Sequence, residues 1–354
     1  MSFKTLFLAL MTLATITFGS TTSFAQDRFL RSVQSVAVTE NHLYIKDDVA
    51  QRVYRMVPGN NRGETFLRAG QLITFQDGSQ HVLQSIGEYM LTPNGDFVVI
   101  DAQAGRLIKR TASNGFEIVA EVGDPIFIPG TSDRIDTIEA ISHIMFNAET
   151  NEILFSDNSL RYVLRAAVGG TLLELDASRP VFVANLNDTV QIQDISNLSY
   201  ATNPTRGGLI VLTDATSGLV LTRDKYETNT LFGVLRSLTV FTNKALTSSR
   251  LESIEGVREL NFTNSNKVVL GNAATKIIYR VDRFGIATAD QKFDGNQIFT
   301  LPNGKLLTIG SMNDFAVTGE NVFLADSAKL QVVKVDQFGQ VSLVASASET
   351  IFTE

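Results

Sequence analysis

Six polar residues stand at equivalent places in the chain, each directly before an apolar, β-rich run. Three are acidic and none is Lys or Arg; in chain order they are Ser35, Glu88, His143, Asn197, Glu259 and Asp314. Carboxylate and amide oxygens are the ligands that Ca²⁺ prefers, and a histidine beside them could bind a transition metal or act as a general base. If the fold brings these positions together, we expect either a divalent-cation site or a water-filled polar channel.

The runs that follow these residues belong to a repeat of about 55 residues. The clearest motif of the repeat is an apolar strand that ends in Asp or Asn and is followed by Arg or Lys eight or nine residues later. The strand-ending residues are Asp47, Asp101, Asp157, Asp214, Asn272 and Asp326. We interpret the repeated Asp as structural, because an Asp before a tight turn can accept backbone N–H bonds from that turn.

Each repeat holds four short runs rich in Val, Ile, Leu and Phe, separated by Gly, Asn and Asp turns. Four antiparallel strands repeated around an axis form the blade of a β-propeller, whose closure protects the sheet edges. We therefore predict an all-β, six-bladed β-propeller with four antiparallel strands per blade over residues 26–354. The predicted blades span roughly 34–70, 88–122, 141–176, 197–235, 257–292 and 312–346.

Roughly 20 residues connect one predicted blade to the next. Connections of that length are usually functional, so we expect them to cross one face of the disc and form a lid or binding rim. Two ways of closing the ring remain open. Residues 26–33 add the outermost strand of the last blade, or residues 341–345 complete that blade alone.

The first 25 residues predict a cleaved export signal. Lys4 supplies a positive charge, an apolar segment too short to span a membrane follows, and Ser23-Phe24-Ala25 is a small-x-small cleavage site. We expect cleavage after Ala25 and a secreted or periplasmic product. The chain has no Cys, which excludes disulfides, thiolate metal sites and a lipoprotein anchor. With a net charge of −7 and no basic cluster, neither nucleic acid nor a membrane surface is an expected partner.

The apolar strand ending in Asp, followed by an apolar-x-basic strand, resembles the NHL repeat, as in Ala325-Asp326-Ser327 with Val332-Val333-Lys334. More broadly, the chain resembles the six-bladed TolB-like propellers, which include the SMP-30/gluconolactonase group, the strictosidine synthase-like proteins and the paraoxonases. In the lactonase-type members, Glu, Asn and Asp metal ligands occupy comparable channel positions. The ligands that this resemblance implies are Glu88, Asn197 and Asp314, with Glu259 as a fourth.

Two classes of function follow. In the first, which we favour because no catalytic signature is complete, the protein is a binding scaffold. Its channel mouth and inter-blade connections recognise a protein, peptide, glycan or small molecule. In the second, it is a divalent-metal-dependent hydrolase of the lactonase or esterase kind, with His143 as the catalytic candidate. We place the other histidines, His42 and His81, at the solvated surface. No phosphate-binding or dinucleotide motif is present, so no organic cofactor is expected, and we expect a monomer.

Overall fold

The structure, a computed structural model, describes residues 29–147, 149–167, 170–183, 188–203, 207–214, 216, 219–224, 233–235, 237–241, 249–253, 257–262, 268–272, 276–281 and 287–353. For parts of that range, mainly between residues 181 and 294, the backbone alone is described. The secondary structure of these residues is β throughout, and they contain no helix with the length and apolar character that crossing a membrane requires.

The described strands form six antiparallel four-stranded meanders, five of which are followed by a two-stranded hairpin. The first meander and its hairpin are β1 (Ser35–Val38), β2 (Leu43–Asp47), β3 (Arg52–Met56), β4 (Arg62–Arg68), β5 (Leu72–Thr74) and β6 (Gln80–Val82). The second are β7 (Tyr89–Leu91), β8 (Phe97–Asp101), β9 (Arg106–Arg110), β10 (Phe116–Glu121), β11 (Pro125–Phe127) and β12 (Arg134–Thr137). The third are β13 (Ile144–Asn147), β14 (Glu152–Asp157), β15 (Tyr162–Ala167), β16 (Gly170–Asp176), β17 (Val181–Val183) and β18 (Asp188–Val190). The fourth are β19 (Asn197–Asn203), β20 (Gly207–Asp214), β21 (Leu219–Asp224), β22 (Gly233–Leu235), β23 (Ser237–Phe241) and β24 (Ser249–Ser253). The fifth are β25 (Val257–Phe262), β26 (Val268–Asn272), β27 (Ile277–Val281), β28 (Ala287–Asp294), β29 (Ile298–Thr300) and β30 (Leu306–Thr308). The sixth meander and a last strand are β31 (Asp314–Thr318), β32 (Asn321–Asp326), β33 (Gln331–Val335), β34 (Val341–Ser346) and β35 (Ile351–Thr353).

The second strand of a meander is apolar along most of its length rather than alternating. In β8, which reads Phe97-Val98-Val99-Ile100-Asp101, every residue is buried. Such a strand must be covered on both faces, and here the two neighbouring meanders cover it. Where side chains are described, clusters of buried apolar residues join meanders one and two, two and three, three and four, five and six, and six and one.

The first strands of the meanders lie beside one another in a closed circuit. β1 contacts β7, and the contacts continue through β13, β19, β25 and β31 back to β1. Sheets that pack face to face around such a circuit have the arrangement of a β-propeller, in which the first strand of each sheet borders a central channel.

The connections between meanders differ from the lid that we predicted. Each contains a two-stranded hairpin among its described residues, and two hairpins extend the sheet of the next meander: β11 pairs in parallel with β16, and β23 with β28. The side chains of β5 alternate, with Ile73 buried and Leu72 and Thr74 exposed. Because one face of the hairpin packs on the core, the connections belong to the sheets and are not free loops.

The Asp that ends the second strand fastens the preceding connection to its meander. Asp101 is fully buried and accepts the backbone N–H groups of Gln84 and Ser85 at 2.8 and 2.9 Å. It also accepts the N–H of Ala104, in its own turn, at 3.4 Å. Asp157 and Asp326 make the same kinds of contact. These hydrogen bonds confirm the structural interpretation of the repeated Asp and add a link to the connection that we did not predict.

The C-terminal residues of the chain pair with the first meander. β34 pairs with β33 as the fourth strand of the sixth meander, a pairing that the second of the two predicted alternatives needs. β35 then pairs in parallel with β4, the last strand of the first meander. Phe352 on β35 is buried and stacks on Tyr54 of β3, with ring centroids 4.1 Å apart. Residues 26–28, which the first alternative also needs, lie outside the described residues.

Candidate functional site

A cavity of about 620 Å³ lies where the first strands meet. Its walls come from β1, β7, β13, β19 and β31 and from residues next to them. The predicted polar positions that line it are Ser35, Glu88, His143, Asn197 and Asp314. The remaining position, Glu259, lies on β25 opposite Gly271, but its side chain is not among those described. The structure therefore brings three of the four predicted metal ligands to one cavity, together with His143.

Glu88 and His143 are joined by a short hydrogen bond, with 2.7 Å between Glu88 Oε2 and His143 Nδ1. The other carboxylate oxygen, Oε1, accepts the N–H of Ile144 at 3.0 Å. Burial disfavours the imidazolium form, but the hydrogen bond and charge of Glu88 outweigh it. With the charge of Asp194 and a hydrogen bond to the Ile195 backbone, they raise the pKa of His143 above its ordinary value. The ring is therefore hydrogen-bonded on both sides, to Glu88 and to the Ile195 backbone, and its role as a catalytic candidate stays a prediction.

We expect the substitution His143→Gln to cost stability chiefly at low pH. The pKa of His143 is raised in the folded state relative to about 6.5 in the unfolded chain. The stabilisation that protonation supplies is therefore fully present below about pH 6.5 and is lost as the pH rises through the folded-state pKa. Thermal unfolding between about pH 5.5 and pH 9 should show the Tm difference between wild type and variant shrinking with rising pH.

His42→Gln is the matched control for this prediction, because His42 lies in a turn between β1 and β2. It removes a histidine that is not among the residues lining the cavity, and its pH series is the reference for the His143→Gln series. A His143→Gln difference that stays constant or grows with pH would contradict a raised pKa of His143 in the folded state.

Asp314 links the sixth meander to the first. Its Oδ2 accepts the N–H of Val36 at 2.9 Å, and its Oδ1 accepts the N–H of Phe315 at 2.8 Å. Glu88 makes the equivalent link from the second meander to the third through Ile144. In both cases a carboxylate accepts the N–H of the residue that follows the equivalent polar position in the next meander. These acids tie the channel strands together, a role that the sequence analysis missed.

The predicted cation site needs several ligands that converge on one point. In the part of the chain that the structure describes, no group of three or more His, Cys, Asp and Glu side chains is placed to hold a metal ion. Asn197 is nearly buried, and its Oδ1 accepts a hydrogen bond from Ser199 Oγ at 2.9 Å. The donor chemistry at this mouth suits Ca²⁺, but the described contacts use these oxygens for hydrogen bonds. The Ca²⁺ site stays a prediction.

Lys46 is a channel residue that the sequence analysis missed. It lies on β2 opposite Ser35, lines the cavity, and places Nζ 2.9 Å from Asp48 Oδ1. Only 12% of its side chain is exposed. The sequence did contain a signal for it. Lys46 stands directly before the strand-ending Asp, a place that the apolar residues Ile100 and Ala325 hold in the second and sixth repeats.

Beyond the polar positions, the wall of the cavity becomes apolar. Met90, Leu91, Met145, Phe146 and Tyr200 all line it. Each follows a polar position by two or three residues along its strand. The cavity is therefore polar at one end and apolar further along the strands.

His81 is not the solvated residue that we predicted. Its Nε2 lies 2.9 Å from Asp101 Oδ2, and its Nδ1 lies 3.2 Å from a guanidinium nitrogen of Arg106. The ring stacks on Phe75, with a centroid distance of 6.1 Å. His81 belongs to the contacts that hold the first connection against the second meander.

Comparison with known protein families gives no match, and comparison with characterised protein sequences gives none either. Solved structures resemble the fold at low sequence identity. A virginiamycin B lyase from Staphylococcus aureus is 9% identical, with 88% of this chain and 83% of that chain covered and a TM-score of 0.44. A candidate gluconolactonase is 9% identical, with 92% and 91% covered and a TM-score of 0.49. A chain of a nidogen/laminin complex is 11% identical, with 88% and 95% covered and a TM-score of 0.49. Likenesses of this degree assign no activity to this chain.

Proposed function

We propose that the protein is a six-bladed β-propeller that binds a ligand in its central channel. Six meanders among the described strands and the closed circuit of their first strands support the blade number. The observation that carries the binding proposal is the channel itself. A cavity of about 620 Å³ that is polar at one end and apolar further along has the size and character of a ligand site.

Binding is favoured over catalysis because Glu88, His143 and Asp314 already make hydrogen bonds within the protein. Both oxygens of Glu88 and both oxygens of Asp314 accept hydrogen bonds or contact His143. A general base must also lie within hydrogen-bond reach of the proton that it removes, and the described contacts of these oxygens are with groups of the protein itself. The same contacts stiffen the mouth, and a rigid, preformed mouth lowers the entropic cost of binding.

The ligand that suits this cavity has an apolar body and a polar, hydrogen-bonding head. The apolar part would contact Met90, Met145 and Phe146, and the head would lie among the polar positions near Ser35 and Lys46. A peptide segment of a partner protein that inserts an apolar side chain has this chemistry, and so does an amphipathic small molecule. Methionine-rich walls adapt to several such shapes.

We expect ligands of the channel to raise the Tm of the wild type but not of Ser35→Trp, which fills the polar mouth. The probe is a panel of short synthetic peptides, each with one large apolar side chain. At a hundredfold excess over Kd, a ligand that binds only the folded state stabilises it by about 2.7 kcal/mol. The matched control is Thr74→Trp on the exposed face of β5, which should keep every response. No response in the wild type, or responses that survive in Ser35→Trp, would contradict channel binding.

A divalent-metal-dependent lactonase or esterase is the second candidate. It is favoured by one observation: Glu88, Asn197 and Asp314 line the same cavity, as the resemblance to lactonase-type propellers requires. If Ca²⁺ binds there, the Tm of metal-stripped protein should rise on adding Ca²⁺, and the Glu88→Ala, Asp314→Ala double variant should lose that rise. Hydrolysis of lactones or aryl esters by the Ca²⁺-loaded wild type alone would then replace the binding proposal.

We also propose that the protein is exported and cleaved after Ala25, on the evidence of residues 1–25. N-terminal sequencing of the exported chain should begin at Gln26. An intact Met1 on cytoplasmic protein would contradict export.

A further inference from the structure

Outside the channel, the ring of Phe66 carries two guanidinium groups. This ring lies on β4 and packs edge-on against Tyr44 and Phe97, with centroid distances of 5.1 and 5.0 Å. The guanidinium carbon of Arg110 lies 4.3 Å from the centroid of the ring, and that of Arg55 lies 5.1 Å from it. A cation is attracted to the face of an aromatic ring, so Phe66 holds both groups at the interface between the first two meanders. We call Arg55, Phe66 and Arg110 the arginine cluster; none of the three is among the residues that line the channel cavity.

Arg110 occupies a place in its meander where packing does not require a charge. It pairs with Phe97, four residues before the Asp that ends β8. Met56 and Val335 hold the same place in the first and sixth meanders, and both are buried. An apolar side chain therefore suffices for the core at this place, and the cation of Arg110 calls for another explanation.

Every direct contact described for Arg110 is with a neutral group. Its Nη1 donates to the backbone oxygen of Phe66 at 3.0 Å, and its Nη2 donates to Asn114 Oδ1 at 2.9 Å. A guanidinium has further N–H donors that these two bonds do not use. Burial, followed by the charge of Arg55, lowers the pKa of Arg110, although a guanidinium stays charged in proteins. A half-buried cation beside a second cation is costly unless an anion approaches it.

Other arginines on the third strands of meanders have carboxylate partners. Arg55 Nε donates to Glu64 Oε1 at 2.8 Å, and Arg165 on β15 forms ion pairs with Glu152 and Glu174. In its described contacts, the arginine cluster thus has one carboxylate for two guanidinium groups. The cluster is also open to solvent, since 36% of the Arg55 side chain and 50% of the Glu64 side chain are exposed. An anion from solution can therefore reach it.

We propose that the arginine cluster binds the carboxylate or phosphate group of a ligand, at the interface between the first two meanders and outside the channel. The planar fork of a guanidinium donates two parallel hydrogen bonds to either group. Stacking on Phe66 and the bond to its backbone oxygen hold the Arg110 guanidinium in place before the anion arrives. Because the donor is already ordered, binding loses less side-chain entropy. Channel binding is a separate proposal, and neither depends on the other.

The variant Arg110→Met tests this site, and it should fold because Met56 is buried at the same place in the first meander. The probes are sodium phosphate and sodium acetate, each titrated into the protein by calorimetry, with sodium chloride at equal ionic strength as the reference for screening. The wild type should bind at least one of the two anions saturably. Arg110→Met should bind it about tenfold more weakly or worse, since a charge-assisted hydrogen bond is lost. The anion that binds more tightly identifies the ligand group.

Lys109→Met is the matched control, because it removes the neighbouring cation, which pairs with Glu117 instead. It should bind the anion as the wild type does. Arg110→Lys keeps the charge but loses the planar fork, so its affinity should lie between those of the wild type and Arg110→Met. Two results would overturn the proposal: a wild type that binds neither anion, or binding that persists unchanged in folded Arg110→Met protein.

Discussion

The substitution Phe352→Ala is expected to lower the free energy of unfolding by about 3–5 kcal/mol, although only two residues of the sequence follow it. Phe352 is 2% exposed and stacks on Tyr54 at an interplanar angle of 26°. It also belongs to the apolar cluster that joins the first meander to the sixth. Truncation leaves a cavity at the one interface where the chain is not continuous. Urea unfolding followed by circular dichroism would measure the change.

Ile351→Ala is the control on the same strand, since Ile351 is 42% exposed and its loss should cost less than about 1 kcal/mol. Gly63→Ala tests the same contact by crowding it, because a β-carbon at residue 63 would lie 2.5 Å from the Phe352 ring. It should also destabilise the ring. Equal effects of Phe352→Ala and Ile351→Ala would show that β35 does not close the ring in solution.

The repeat could be predicted from the sequence because a strand period of two and a unit of about 55 residues are local patterns. The connections were wrongly predicted to be lid loops, because that prediction used only their length and ignored their alternation of apolar and polar residues. Leu72-Ile73-Thr74 alternates between core and solvent as a strand does. Closure by β35 was not predicted, since three residues give too short a run to show a period.

The channel positions could be predicted because each stands directly before an apolar run. Equivalent strands of a repeat protein lie side by side, so residues at equivalent positions in those strands are close in space. What those residues do could not be found that way. Asp314 accepts the N–H of Val36, which is 278 positions away in the chain. The pairing of Glu88 with His143 likewise depends on which strands are neighbours in the ring. Acids in a ring suggested a cation, and that site stays a prediction; the contacts described for Glu88 and Asp314 include the N–H groups of Ile144 and Val36 in the next meander.

Asp326→Ala is expected to destabilise the protein by about 3–5 kcal/mol, because it leaves several buried donors without their acceptor. Asp326 is fully buried and accepts the N–H groups of Gly310, Ser311 and Lys329 at 2.8, 2.9 and 3.1 Å. It also accepts the Ser311 hydroxyl at 3.0 Å and the Gln331 side-chain amide at 2.8 Å. These donors come from the connection, from the turn and from β33, so the substitution releases all three at once.

Two variants separate this effect from the general cost of losing a carboxylate. Asp326→Asn keeps one acceptor oxygen but turns an NH₂ group towards the remaining donors, so its cost should be intermediate. The fifth repeat carries Asn272 at the equivalent place in the sequence. Asp77→Ala removes an exposed carboxylate that accepts the N–H and hydroxyl of Ser79 at a hairpin tip, and it should lower the free energy of unfolding much less than Asp326→Ala does. If Asp326→Ala and Asp77→Ala lower the free energy of unfolding in urea by the same amount, the repeated Asp does not anchor the connections.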